Sequence, residues 1–224
     1  MTNVYFGFPL KPELHHQLAS LIARIQQNSA AHGLNQDAGE VITGLLDVAI
    51  QTLYYNAMDA VPTHPGTRKS ADAGISTVVK GAQFVIQKMA NSLDPNDLLV
   101  FANYMQTLVI LQDGQHYLAY PLTSDQKIAL EQVIQRIQTD ANTDAYNHLI
   151  IDVLCSIADQ AIKYFYDTPT RMIKIRTLIR KSADLAVRSV CKGLHFVIRQ
   201  LFRRTRQKEL MMFSDYLQQQ LVYC

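Results

Sequence analysis

Tryptophan is absent from this chain, and cysteine is scarce: Cys155, Cys191 and Cys224 are the only three, all in the second half. So sparse a set excludes a disulfide framework and suits a reducing compartment. Long hydrophobic runs are missing too. The longest apolar stretch, Leu98 to Leu111, is interrupted by Asn103, Gln106 and Thr107 and is too short to cross a bilayer. The opening residues, MTNVYFGFPLKPE, have neither a basic n-region nor a cleavage site, so they do not read as a secretory signal. A cytoplasmic location is the expectation. The sequence contains no HExxH, CxxC or paired ExxH, no phosphate-binding or dinucleotide glycine fingerprint, and no Gly-x-Ser-x-Gly. Low-complexity tracts are also lacking, and 48% hydrophobic residues is ordinary for a globular chain.

What the sequence has in place of motifs is self-similarity. Aligned against itself at an offset of 112 residues, the chain gives 29 identities without a gap, eleven of them between positions 68 and 86. Chance gives roughly 7 at typical residue frequencies. Arg68-Lys69-Ser70-Ala71-Asp72 recurs as Arg180-Lys181-Ser182-Ala183-Asp184, and Phe84-Val85-Ile86 as Phe196-Val197-Ile198. The reading is a tandem duplication, with residues 1–112 as copy 1 and 113–224 as copy 2. The period is too long for a solenoid, and a fused, dimer-like pair related by a pseudo-two-fold is the natural arrangement.

Each copy reads as a roughly four-helix unit behind a short extended segment, so the fold class expected is all-α. The segments Val4–Phe8 and His116–Tyr120 are aromatic-rich and end at Pro9 and Pro121. They have the option of pairing as a small ribbon. Helix 1 begins near Pro12, with Leu14, Leu18, Leu21, Ile22 and Ile25 on one face. Its second copy begins with a capping box, Thr123 to Gln126. Helix 2 begins near Asp37. Helix 4 has Asp94 as N-cap and Pro95 at its first position. Helix 3 is where the copies differ. The loop 61–66 (VPTHPG) carries two prolines and a glycine, whereas 173–178 (IKIRTL) holds no helix breaker. A helix running from about Pro169 to Arg204 is therefore expected in copy 2. Gly81 and Gly193 fall mid-helix, where a closely crossing neighbour is expected.

Charge separates the copies. Copy 1 holds six Lys and Arg against eight Asp and Glu; copy 2 holds fifteen against eleven. Twelve of those fifteen lie in residues 171–208, with Asp184 the one acid. At 100° per residue, Lys174, Lys181, Arg188, Lys192, Arg199 and Arg203 occupy one sector of about 60°, a stripe about 44 Å long. An uncompensated stripe suits an anionic partner: nucleic acid first, then an acidic protein or anionic lipid headgroups. Against nucleic acid, the net charge is only +2, and Phe196 is the one aromatic residue beside the stripe. The structural alternative is a solvated face, or one neutralised by acids of the other copy.

Catalysis finds less support. The seven histidines, His15, His16, His32, His64, His116, His148 and His195, have no histidine at the matching position of the other copy. No metal and no cofactor are expected. Cys155 and Cys191 align with Thr43 and Val79, as small core residues do. Polar residues that do repeat include Asp47/Asp159, Asp72/Asp184, Lys69/Lys181, Lys80/Lys192, Tyr54/Tyr166 and Tyr104/Tyr216. For Asp47 and Asp159 a buried pairing with Arg24 and Arg136 is expected; for the tyrosines, core positions with a bonded hydroxyl. The sequence thus reads as a non-enzymatic binding or regulatory protein. Its rivals are a protein–protein scaffold, a bundle enclosing an apolar ligand, and an enzyme using the repeated Asp, Lys and Tyr.

Overall fold

A computed structural model describes residues 3–60, 65–139, 147–202 and 207–224. The chain is mostly helical, but it is not all-α: a four-stranded antiparallel sheet of order β2-β3-β1-β4 is built in. The strands are β1 (Val4–Pro9), β2 (Val109–Gln112), β3 (Gln115–Pro121) and β4 (Leu221–Tyr223). The extended segments β1 and β3 do pair; β2 and β4 are strands the sequence reading missed. Asp113 and Gly114, both with positive φ (52° and 79°), form the turn that joins β2 to β3. Two left-handed residues in a two-residue loop match the twist of a hairpin.

Between the strands, the first half carries α1 (Pro12–Gln27), α2 (Leu34–Ile50), α3 (Ala57–Ala60), α4 (Pro65–Ala90) and α5 (Pro95–Thr107). The second carries α6 (Ser124–Thr139), α7 (Asn147–Ile162), α8 (Thr168–Met172), α9 (Thr177–Phe202) and α10 (Gln207–Gln219). α2 passes into α3 through a π-helical stretch, Gln51–Asn56, and α7 into α8 through another, Lys163–Asp167. The bounds of α1 and α6, α4 and α9, and α5 and α10 agree at an offset of 112 residues.

Local chemistry fixes several of these starts. In α6 the Thr123 hydroxyl accepts the Gln126 N–H while the Gln126 side chain accepts the Thr123 N–H, a reciprocal cap. Asp94 accepts the Asp97 N–H at 2.8 Å ahead of Pro95. α1 buries Leu18, Leu21, Ile22 and Ile25, the stripe its periodicity marks.

The halves interlock. Phe6, Phe8 and Tyr120 form an aromatic cluster in the core, and the Tyr120 hydroxyl donates to the Ile157 carbonyl of α7. Gly7 lies opposite Ala119 in the β1–β3 pair, and β4 adds to the outer edge of β1. A Cβ on Gly7 would come within 2.6 Å of Val222, so β4 packs over a position where glycine leaves room. Asn3 and Cys224 exchange two backbone hydrogen bonds of 2.9 and 3.1 Å, which sets the two ends side by side. The Tyr104 hydroxyl of α5 donates to the Tyr164 carbonyl in the second π stretch; the Tyr216 hydroxyl of α10 donates to the Thr52 carbonyl in the first. The long helices α4 and α9 pack against each other, and each also packs on the second helix of its own half, α2 or α7.

One expectation about helix 3 is overturned. No helix runs from Pro169 to Arg204: α8 ends at Met172, residues 173–176 are non-helical, and α9 begins at Thr177. α9 therefore has 26 residues, the same length as α4. The break has a tertiary cause. Ile173 is buried and extended, and the Asp97 carboxylate of α5 accepts the Lys174 N–H at 2.9 Å. Burial and that hydrogen bond together replace what one helical turn would supply. The counterpart loop at 61–64 lies outside the described residues. At Gly193 a neighbour does cross closely, since a Cβ there would come within 2.9 Å of Val78 on α4. Gly81 is different: a Cβ there would meet nothing within 4 Å.

Candidate binding face on helices 4 and 9

α9 turns Ala183, Leu194, Val197 and Phe202 inward. The opposite side carries the sequence-predicted cations. Lys181, Arg188, Lys192 and Arg199 are all exposed on α9, within about 40° of one another at 100° per residue. Lys174 is exposed as well, but it belongs to the non-helical 173–176 segment and is not on α9, which corrects its place in the stripe. Arg203 lies outside the described residues. Four cations on one helix thus remain of the six expected, with Lys174 beyond its N-terminus.

Among the described residues, none of Lys174, Lys181, Arg188, Lys192 and Arg199 has an acid within ion-pair distance. The ion pairs between described residues include Arg24–Asp37, Arg68–Asp59, Lys127–Glu131 and His195–Asp159. Asp184, the acid of the basic region, is occupied elsewhere: it accepts the Tyr166 hydroxyl at 2.7 Å. Asp72 on α4 accepts the Tyr54 hydroxyl at 2.8 Å in the same way. Burial first, and the facing carboxylate second, push both hydroxyls far above their ordinary pKa, so each stays a donor.

The sequence reading set Phe196 beside the cations but missed the leucines that stand with it. Leu178, Leu185 and Phe196 are 79%, 65% and 59% exposed, and they share a sector of about 20° adjoining the stripe. On α4, Phe84 is 62% exposed, with the Lys88 ammonium 4.4 Å from its ring centroid. Phe84 and Phe196 occupy matching positions of the two halves, and their identity in the sequence was the available signal.

The repeated polar residues do not converge on a cleft. Asp47 is exposed and takes a hydrogen bond from Gln83 at 3.1 Å, and Asp159 sits 2.9 Å from His195. The expected burial against Arg24 and Arg136 is thus incorrect, because Arg24 reaches Asp37 instead. Lys69 and Lys80 are exposed. Cys155 is buried and Cys191 partly so, and burial raises both thiols. His15 stacks on His116 at 3.5 Å, a face-to-face geometry in which the two rings cannot share a metal. No cluster of three His, Cys, Asp or Glu side chains suited to a metal occurs among the described residues. An apolar cavity between α7, α9 and α10 measures about 40 Å³, lined by residues such as Leu154, Leu194 and Phe213. Compared with known proteins, the chain matches no family model, no curated protein and no solved structure.

Proposed function

We propose that this protein is a non-enzymatic binding protein that engages an anionic partner through the outer face of α9. The observation that carries the reading is the set of exposed cations at Lys181, Arg188, Lys192 and Arg199, none with an acid in ion-pair distance among the described residues, on a helix whose one acid is held by Tyr166. Cations with no acid in ion-pair distance keep much of their field and concentrate counter-ions at the face. The cations alone favour nucleic acid. The apolar side chains standing beside the cations favour a partner that offers apolar surface as well as negative charge. An enclosed apolar ligand fits less well, since about 40 Å³ is far below the roughly 300 Å³ of a small-molecule site.

The same reading takes the chain as a fused pair: residues 1–112 and 113–224 as duplicated units about a pseudo-two-fold through Gly7 and Ala119. Three features support it: the shared element bounds, the self-matching register of β1 and β3, and the reciprocal Tyr104 and Tyr216 hydrogen bonds.

Retention on immobilised heparin, a generic polyanion, tests the α9 reading. Lys181, Arg188 and Lys192 replaced together by Gln should elute at clearly lower salt. Replacing Lys11, Arg136 and Lys163, exposed cations elsewhere, should shift elution little. Equal shifts for the two triple variants would overturn the assignment of the face.

A further inference from the structure

We propose that the partner is an anionic lipid bilayer, docked flat on the outer face shared by α4 and α9; this deepens, and rests on, the α9 reading above. Two independent features of the face meet here. First, the exposed charges that α4 and α9 themselves contribute all have one sign; the exposed acids at its margins, Asp47 on α2 and Asp159 on α7, are held by Gln83 and His195. Lys69, Lys80 and Lys88 on α4 and Lys181, Arg188, Lys192 and Arg199 on α9 are exposed, while Asp72 and Asp184 are engaged by tyrosines. Second, the face carries Leu178, Leu185, Phe84 and Phe196, which include the three most exposed large apolar side chains described in the protein.

A phosphate backbone would use the first feature and leave the second in water. A bilayer uses both, at different depths. Leu and Phe side chains enter the acyl boundary, while Lys and Arg flanking them bury their stems and keep their charges among the headgroups. On α9 the cations lie about 50° around the helix from the apolar ridge, which suits that layering for a helix lying in the interface plane. One signal alone gives marginal attachment, and two together give stable attachment. The docking is peripheral: among the described residues no helix is long and apolar enough to cross a membrane.

The chain contains no tryptophan, so Phe196→Trp installs a single emission probe on the ridge. The full chain carrying it is mixed with vesicles of phosphatidylcholine alone, with vesicles of equal parts phosphatidylcholine and phosphatidylserine, and with a duplex oligonucleotide. The anionic vesicles should shift the emission to the blue, and brominated acyl chains should quench it. Phosphatidylcholine alone should do neither. Adding Leu178→Ser and Leu185→Ser should weaken partition at least about tenfold and leave heparin retention unchanged. Both sites are exposed, so far-UV circular dichroism should not change. The Lys181, Arg188 and Lys192 to Gln variant should elute from heparin at clearly lower salt and show a much weaker blue shift on anionic vesicles. Heparin retention that depends on these cations, with no blue shift on anionic vesicles, would overturn the bilayer while leaving the α9 reading in place. Tight duplex binding that quenches the probe without a blue shift would, in that case, put nucleic acid in its stead. Heparin retention indifferent to the Gln variant would overturn the α9 reading itself.

Discussion

At the scale of single residues, the two Tyr–Asp pairs show how a half-buried carboxylate is kept. Tyr54 is almost fully buried and gives its hydroxyl to Asp72; Tyr166 and Asp184 repeat the arrangement. Removing the hydroxyl leaves the carboxylate short of a partner in a partly dehydrated place. Tyr54→Phe should cost about 1–2 kcal/mol of stability, and Tyr166→Phe a similar amount, read from urea unfolding. A loss below the error of extrapolation for both would show that water satisfies the carboxylates equally well. His15 makes a different prediction. Burial, then His116, then His16, lower its pKa below 6.5, so the fold prefers the neutral ring. The unfolded chain therefore binds more protons below that value, and stability falls as pH drops through it. The melting temperature should decline between about pH 7.5 and 5.5, and less so in His15→Gln. An equal decline in both proteins would place the acid sensitivity elsewhere.

At the scale of elements, Gly81 and Gly193 give a paired test. They lie 112 residues apart at matching positions in the middle of equal helices, yet their surroundings differ. Gly81→Ala adds a methyl to open space and should stabilise by about 0.5–1 kcal/mol through helix propensity. Gly193→Ala gains the same propensity but pushes on Val78, a stiff β-branched side chain, so its net effect should be smaller or destabilising. Thermal melts of the two variants decide it, and equal stabilisation would mean that α4 shifts freely. Much at this scale was legible beforehand. The α1 stripe, the Thr123–Gln126 cap and the Asp94-Pro95 start depend on neighbours a few residues away, and local pattern encodes them. The 173–176 break was not legible, because it depends on Asp97, far off in the chain. In retrospect the alternation of Ile173 and Ile175 with Lys174 and Arg176 is a period-two pattern inside a supposed helix. β2 and β4 were missed for a related reason. Val109–Gln112 continues the apolar run of Met105 and Leu108, and strands of four and three residues are too short to show alternation. For the binding face, the cations could be read directly. Leu178 and Leu185 could not, since periodicity alone does not say which apolar residues a helix leaves uncovered.

At the scale of the whole molecule, the halves are joined so closely that separate unfolding is not expected. β4 pairs with β1, Lys174 donates to Asp97, and the Tyr104 and Tyr216 hydroxyls cross in opposite directions. Urea titrations followed by circular dichroism and by tyrosine fluorescence should coincide in one transition. Two resolved transitions would mean that the cross-half ties contribute little.

The hydrogen bonds between Asn3 and Cys224 have a topological consequence. They set β1 beside β4 as an antiparallel pair whose ends meet, the relation that Asp113-Gly114 bridges covalently between β3 and β2. Closed by a short linker, the chain would be a ring with two equivalent hairpins. Where such a ring is cut then becomes arbitrary: a circular permutant opened at Asp113-Gly114 and joined through the old ends should fold to the same arrangement with a similar urea midpoint. Which half comes first along the polypeptide would then be a matter of how the chain is written, with no bearing on how it is held together.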